Sequence, residues 1–299
     1  LWQDWLAKYP QDAKYTADMS LPAQSLKEAK RLTNQNLPFL APHFTDAILT
    51  EHRNQAIIHT GLNINAQATL ERMIASYIET NKNLGINNVS AILYDAKTMQ
   101  VKALVGSADY FNAEIDGQVN GTAAKRSPGS TLKPFIYGLA MDQSLIHPAS
   151  VLKDAPTSFG PYSPENFDGR FIGPTTAAEA LIRSRNVPAV SLSSKLSQPS
   201  LYDFLKNAGV SDLKSESHYG LALALGGGEL SMEELVSLYA MLANHGRFAP
   251  YALTKTNAAT FPLLSEESAY ITLDMLRQNP RPDTGEPDVY KTAWKTGTS

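Results

Sequence analysis

Nucleophilic catalysis by a hydroxyl needs a base within hydrogen-bond reach. A Ser three residues before a Lys on a helix can meet that need. Ser130-Thr131-Leu132-Lys133 follows Pro128-Gly129 and opens an apolar helical stretch. On that helix Ser130 and Lys133 lie about 60° apart around the axis. Leu132, Phe135, Ile136, Leu139 and Ala140 form a stripe roughly opposite them. The helix can thus bury one side while the hydroxyl and the amine meet on the other. The spacing alone proves little, because Ser150-Val151-Leu152-Lys153 and Ser211-Asp212-Leu213-Lys214 also match it. Ser150 follows a His147-Pro148 turn and Ser211 lies in a polar run, so both read as surface loop residues. Pro134 removes the N–H that would bond the Ser130 carbonyl; this reads either as tolerated strain beside a functional residue or as a common and harmless first-turn proline.

Two further motifs follow in order, each occurring once. They are Ser184-Arg185-Asn186 and Lys295-Thr296-Gly297-Thr298. A lone Ser-x-Asn is ordinarily a loop or a helix cap, and a lone Lys-Thr-Gly can be a strand end. The ordered set is far more specific than any member.

The elements that must position these residues are legible in outline. Leu70, Met73, Ile74, Tyr77 and Ile78 have helical spacing. Val89 to Tyr94 and Gln100 to Val105 are apolar runs joined by Asp95-Ala96-Lys97-Thr98, a hairpin whose strands read as covered on both faces. Ser231-Met232-Glu233-Glu234 predicts a capping box opening a helix through Met241. Gly226-Gly227-Gly228 lacks the Lys-Ser/Thr of a phosphate cradle and reads as a turn feeding that helix. Tyr290 to Ser299 reads as a strand. Residues 1–59 carry Pro10, Pro22, Pro38 and Pro42 and read as a linker or the end of a preceding module, or equally as a peripheral helical layer of the domain at 60–299.

Composition excludes several classes. The net charge of −3 and the lack of a Lys/Arg stripe give no nucleic-acid signal. Cysteine is absent, which removes disulfides, Cys-ligated zinc and a Cys nucleophile. The six His show no zinc-type spacing. No apolar run approaches the roughly 18 residues that span a bilayer.

The stretch Arg126-Ser127-Pro128-Gly129-Ser130-Thr131-Leu132-Lys133-Pro134-Phe135 resembles the nucleophile region of bifunctional, class A penicillin-binding proteins. Phe171-Ile172-Gly173, Ala180-Leu181 and Ser184 through Val190 are similar to the family's second-motif segment, and Asn244-His245-Gly246 also fits. Leu40-Ala41-Pro42-His43-Phe44 points to the penicillin-binding protein 1C branch. The resemblance implies an α/β fold of the α+β type, the β-lactamase/transpeptidase-like fold. In it an antiparallel sheet is flanked by helices, beside an all-helical subdomain.

The resemblance also implies the residue roles. Ser130 is the nucleophile on a penultimate D-Ala or β-lactam carbonyl, and Lys133 is its general base. Ser184 relays a proton to the departing amine. Asn186 holds Lys133 and bonds the substrate amide. Lys295, Thr296, Gly297 and Thr298 receive the substrate, whose extended peptide pairs with the last strand. The N–H groups of Ser130 and Thr298 form the oxyanion hole. Peptidoglycan stem peptides and β-lactam antibiotics are the implied partners, with no cofactor. The parent protein is implied to be anchored at the periplasmic face of the bacterial inner membrane, behind a glycosyltransferase module. The chain opens without Met and ends inside the third motif, so it reads as an excised piece missing its C-terminal strands.

Two other readings share the Ser-Lys chemistry. A β-lactamase usually carries Asp where this chain has Arg185, and no Glu-x-x-Leu-Asn segment is evident. A β-lactam sensor domain is expected to follow transmembrane helices. Tyr162 and Asn166 read as cleft or loop residues. Tyr110 and Phe111 read as a satellite core cluster rather than a substrate contact.

Overall fold

The computed structural model describes residues 39–55, 57–254, 259–281 and 290–298. Within the stretch 1–59, helix α1 (Pro42–Glu51) begins with a proline, whose fixed φ suits a first turn. Its Phe44 and Ile48 pack with Val101, Leu104 and Leu253. Helix α2 (Ile64–Asn81) is capped by Asn63, whose Oδ1 accepts the N–H groups of Asn65 and Ala66 at 3.1 Å each.

Strands β1 (Ala91–Asp95) and β2 (Gln100–Val105) form the expected antiparallel hairpin, from Ala91 opposite Val105 to Asp95 opposite Gln100. Asp95 Oδ1 accepts the N–H groups of Lys97 and Thr98 at 2.9 and 3.1 Å, which closes the turn. The expectation that both strands are covered on both faces holds only for β2. Among the described residues β1 has no strand on its outer side, and Leu93 is 47% exposed. Gln67 of α2 covers the free edge of β2 as a backbone would. Its amide nitrogen donates to Leu104 O at 3.0 Å, and its oxygen accepts Leu104 N–H at 2.8 Å. The helical period of α2 is as expected, but its buried face centres on Gln67 and Ile74 while Met73 and Tyr77 stay exposed.

The second half is a helical block. Helix α3 (Lys133–Asp142) lies at its centre. Every residue from Leu132 to Ala140 is buried, so the face that carries Lys133 is covered as well as the apolar stripe. A second hairpin, β3 (Val151–Asp154) and β4 (Gly173–Thr176), leads into α4 (Ala177–Ile182) and α5 (Asn186–Ser193). Then come α6 (Leu201–Asn207), α7 (Glu216–Tyr219) and a 3₁₀ turn at Gly220–Leu225. Helix α8 (Met232–Ala243) carries the predicted capping box, Ser231 with Glu234. Strands β5 (Arg247–Phe248) and β6 (Phe261–Pro262) pair before α9 (Glu266–Arg277). Leu132, Phe135, Leu139, Leu181, Phe204 and Met241 belong to the one large core. Fully burying side chains of this size contributes roughly 1.5–3 kcal/mol each.

Candidate active site

Ser130 sits on a tight 3₁₀ turn, Gly129–Leu132, that runs directly into α3. Of the two readings of Pro134, this turn supports the harmless one. Lys133 N–H bonds the Ser130 carbonyl from three residues on, and Pro134 falls in the first turn of α3, where its missing N–H costs nothing. The turn is pinned from several sides. Arg126 and Leu230 exchange backbone hydrogen bonds at 3.0 and 2.9 Å. Ser127 Oγ donates to Gly226 O at 2.8 Å, and Tyr239 OH donates to Thr131 O at 2.8 Å.

Three glycines let separate backbones meet beneath the nucleophile. A Cβ on Gly129 (φ +52°) would lie 2.1 Å from Thr298 O, and one on Gly226 (φ +91°) would lie 2.3 Å from Gly129 N. A Cβ on Gly297 would lie 2.6 Å from Pro128 O. Real side chains do not approach backbone this closely, so the turn after residue 225 and the third motif both depend on glycine here. Gly226 was expected only as a turn residue. Its contact with Gly129 has no signal in the sequence.

The second motif reaches the same place from α4. Ser184 follows that helix with φ +56°, a left-handed conformation that costs a non-glycine residue of order 1–2 kcal/mol. The turn aims its carbonyl and its hydroxyl at Lys133. The fully buried Lys133 Nζ donates to Ser184 O at 2.6 Å, Ser184 Oγ at 3.3 Å and Asn186 Oδ1 at 2.5 Å. Those three bonds occupy all three ammonium donors. Among the described residues none joins Lys133 to Ser130 Oγ. The expected meeting of hydroxyl and amine requires the ammonium to lose a proton, which frees a lone pair.

Burial does most to lower the Lys133 pKa, to about 7, with the charges of Lys295 and then Arg185 adding to it. Lys295 is brought to about 8 by burial alone. Lys295 Nζ donates to Ser184 Oγ at 2.8 Å and to Thr296 O at 2.7 Å. Ser184 Oγ therefore bridges the two lysines.

The segment Tyr290 to Thr298 forms no strand, contrary to the expectation, because no described strand lies alongside to pair with it. Trp294 anchors it instead, its indole N–H donating to Asn279 O at 2.9 Å. Ser130, Ser184, Asn186, Thr296, Gly297 and Thr298 line one cleft of about 400 Å³, together with Phe167 and Leu225. Among the described residues the N–H groups of Ser130 and Thr298 have no acceptor. Free N–H groups at a helix start can take up developing negative charge.

Four polar residues complete the site. Asp154, Asn166, Asp168 and Arg185 form a network under the second motif, with Arg185 Nε 2.7 Å from Asp154 Oδ2 and Nη1 2.9 Å from Asp168 Oδ2. Asn166, read as a cleft or loop residue, accepts Asn186 N–H at 2.8 Å. Tyr162 packs on the large core. Tyr110 forms edge contacts with His43 and Phe111 and its OH donates to Asp46 at 2.6 Å, but Phe111 is 71% exposed, so the pair does not form the satellite core cluster expected. Ser150 and Ser211 are remote from this chemistry. Ser150 Oγ accepts His147 N–H at the start of β3, and Ser211 Oγ donates to Glu234.

The fold matches solved penicillin-binding proteins. PonA1 of Mycobacterium tuberculosis superposes with a TM-score of 0.62 at 18% identity, over 80% of this chain and 69% of that one. The transpeptidase domain of Burkholderia pseudomallei penicillin-binding protein 3 gives 0.62 at 16%, over 73% and 69%. These define a domain of the β-lactamase/transpeptidase fold. Residues 89–299 match the penicillin binding protein transpeptidase domain family, and the chain belongs to it. It is 35% identical over 280 residues to penicillin-binding protein 1C of Escherichia coli, a match spanning 92% of this chain and 36% of that protein.

Proposed function

We propose that this chain is a D,D-transpeptidase that cross-links peptidoglycan stem peptides through an acyl-enzyme on Ser130, and that β-lactams acylate the same residue. The observation that carries this reading is the hydrogen-bonded chain Lys133–Ser184–Lys295, whose central Ser184 lines the same cleft as Ser130. Lys133, half neutral near pH 7, takes the Ser130 proton as Oγ attacks the penultimate D-Ala carbonyl. The oxyanion accepts hydrogen bonds from Ser130 N–H and Thr298 N–H. The C–N bond to the terminal D-Ala then breaks, and the leaving amine takes its proton through Ser184. A second stem peptide's amine attacks the ester, forms the new amide and returns Ser130 to its hydroxyl. Thr296 and Thr298 receive the substrate carboxylate beside the Lys295 ammonium.

In this reading the catalytic domain comprises residues 60–299 with α1 packed on it as a peripheral layer, and the parent protein faces the periplasm from the inner membrane, with a glycosyltransferase module upstream. No described helix is long and apolar enough to cross a membrane. Fluorescent penicillin chased with unlabelled drug tests the reaction class. Label that persists on the full-length protein is the expected result, and rapid release would favour a β-lactamase.

Gly226→Ala tests the backbone contact beneath the nucleophile. Gly209 (φ +77°) is also left-handed but has open space where a Cβ would go. Both Ala variants should lose roughly 1–3 kcal/mol of stability to backbone strain. Only Gly226→Ala should also slow penicillin acylation, and equal acylation rates in the two would refute the contact's role.

A further inference from the structure

The most deeply buried carboxylate near the cleft belongs to none of the three motifs. Asp154, at the end of β3, has no exposed surface. Its Oδ2 accepts Arg185 Nε at 2.7 Å and Ile172 N–H at 3.1 Å, and its Oδ1 accepts Asn166 Nδ2 at 2.7 Å. Asn166 then accepts Asn186 N–H at 2.8 Å, and Asn186 Oδ1 takes Lys133 Nζ at 2.5 Å. Arg185 is held at each of its three nitrogens by β3 and the loop between β3 and β4: beyond Asp154, it reaches Asp168 at 2.9 Å and the Arg170 carbonyl. One carboxylate thus holds the residue before Asn186 directly and Asn186 itself through a single amide.

We propose that Asp154 is a positioning residue of this site. From β3 it fixes the Ser184–Asn186 loop against Lys133 through Arg185 and Asn166, and it screens the Arg185 charge from the Lys133 amine. The proposal rests on the transpeptidase reading. A buried ion pair is weak evidence for stability, since an apolar replacement often stabilises as well. What this pair supplies is geometry, and misplacing a reacting group by about 1 Å can slow a reaction about 100-fold.

The charges around Lys133 give a signature that a purely structural role lacks. Lys295 and Arg185 face it as cations, and Asp154 and Asp168 offset Arg185. Tyr137, one turn along α3, is kept neutral because burial and Asp154 both raise its pKa. Removing the Asp154 charge leaves more uncompensated positive charge near Lys133, which favours its neutral form. Removing Arg185 does the reverse.

Fluorescent-penicillin acylation of the full-length protein across neutral pH is the test, with thermal unfolding measured in parallel. Asp154→Asn should acylate about 10- to 100-fold more slowly, and the acid limb of its rate profile should move to lower pH. Arg185→Met should move that limb to higher pH. If Asp154→Asn does not fold, the direction of the Arg185→Met shift decides. Asp154→Asn at the wild-type rate overturns the proposal, as do slowed variants whose acid limbs stay in place. Wild type that takes no label overturns the transpeptidase reading, and this proposal with it.

Discussion

Ser130→Ala is expected to leave no covalent penicillin label, whereas Ser150→Ala and Ser211→Ala label as wild type does. All three serines precede a lysine by the same spacing, so spacing predicts equal loss. Geometry predicts one loss. Only Ser130 stands at a helix start, in a cleft with the second and third motifs. Ser150 precedes a strand whose Lys153 is exposed, and Ser211 is tied to the Glu234 carboxylate. Removing Oγ removes the atom that forms the ester, so the loss should be complete rather than graded. Gel fluorescence on the purified proteins reads it directly. Normal labelling of Ser130→Ala would show that the nucleophile lies elsewhere.

Lys133→Ala should slow acylation by ~10²–10⁴-fold, the usual contribution of a positioned general base. Lys133→Arg should be no better, because a guanidinium keeps the positive charge but does not deprotonate in a protein. The arginine variant therefore separates a role as base from a role as a charge that steadies Ser184 and Asn186. The same argument fixes the pH dependence of the wild type. Lys133 must be neutral to accept the Ser130 proton, so the rate should rise with pH through about 7. Lys295 must stay protonated to hold Ser184 Oγ and the substrate carboxylate, so the rate should fall above about 8. The two limbs belong to a coupled pair that shares Ser184. A rate that is flat across neutral pH, or a Lys133→Arg variant of wild-type speed, would end this assignment.

Local pattern carried the elements that local chemistry stabilises. The Asp95 turn, the Ser231–Glu234 capping box and the helical period of α2 each depend on residues within one or two turns of chain. Burial was less legible. The face of α3 that carries Lys133 reads as the polar side of an amphipathic helix, yet tertiary packing buries it completely. Conversely, Leu93 of β1 and Met73 and Tyr77 of α2 read as covered and are exposed, because cover depends on which elements lie alongside. The final segment has strand composition but no described partner, and a strand exists only through its neighbour's hydrogen bonds.

The sequence by itself determined which residues are proposed to carry the chemistry: Ser130, Lys133, Ser184, Asn186 and Lys295, in order, each motif with its own residue types. It also determined that glycines stand at 129, 226 and 297. Only the tertiary structure decided what those residues do to one another. It turned Ser184 into the left-handed conformation that aims it at Lys133, and it brought Lys295 close enough to share Ser184 Oγ. It also buried Asp154 beneath Arg185 and Asn166. The physical reason is range. A hydroxyl, an amine and a tight turn are properties of residues and their immediate neighbours. A lowered amine pKa arises from burial and from charges that the chain brings together across distant stretches of sequence.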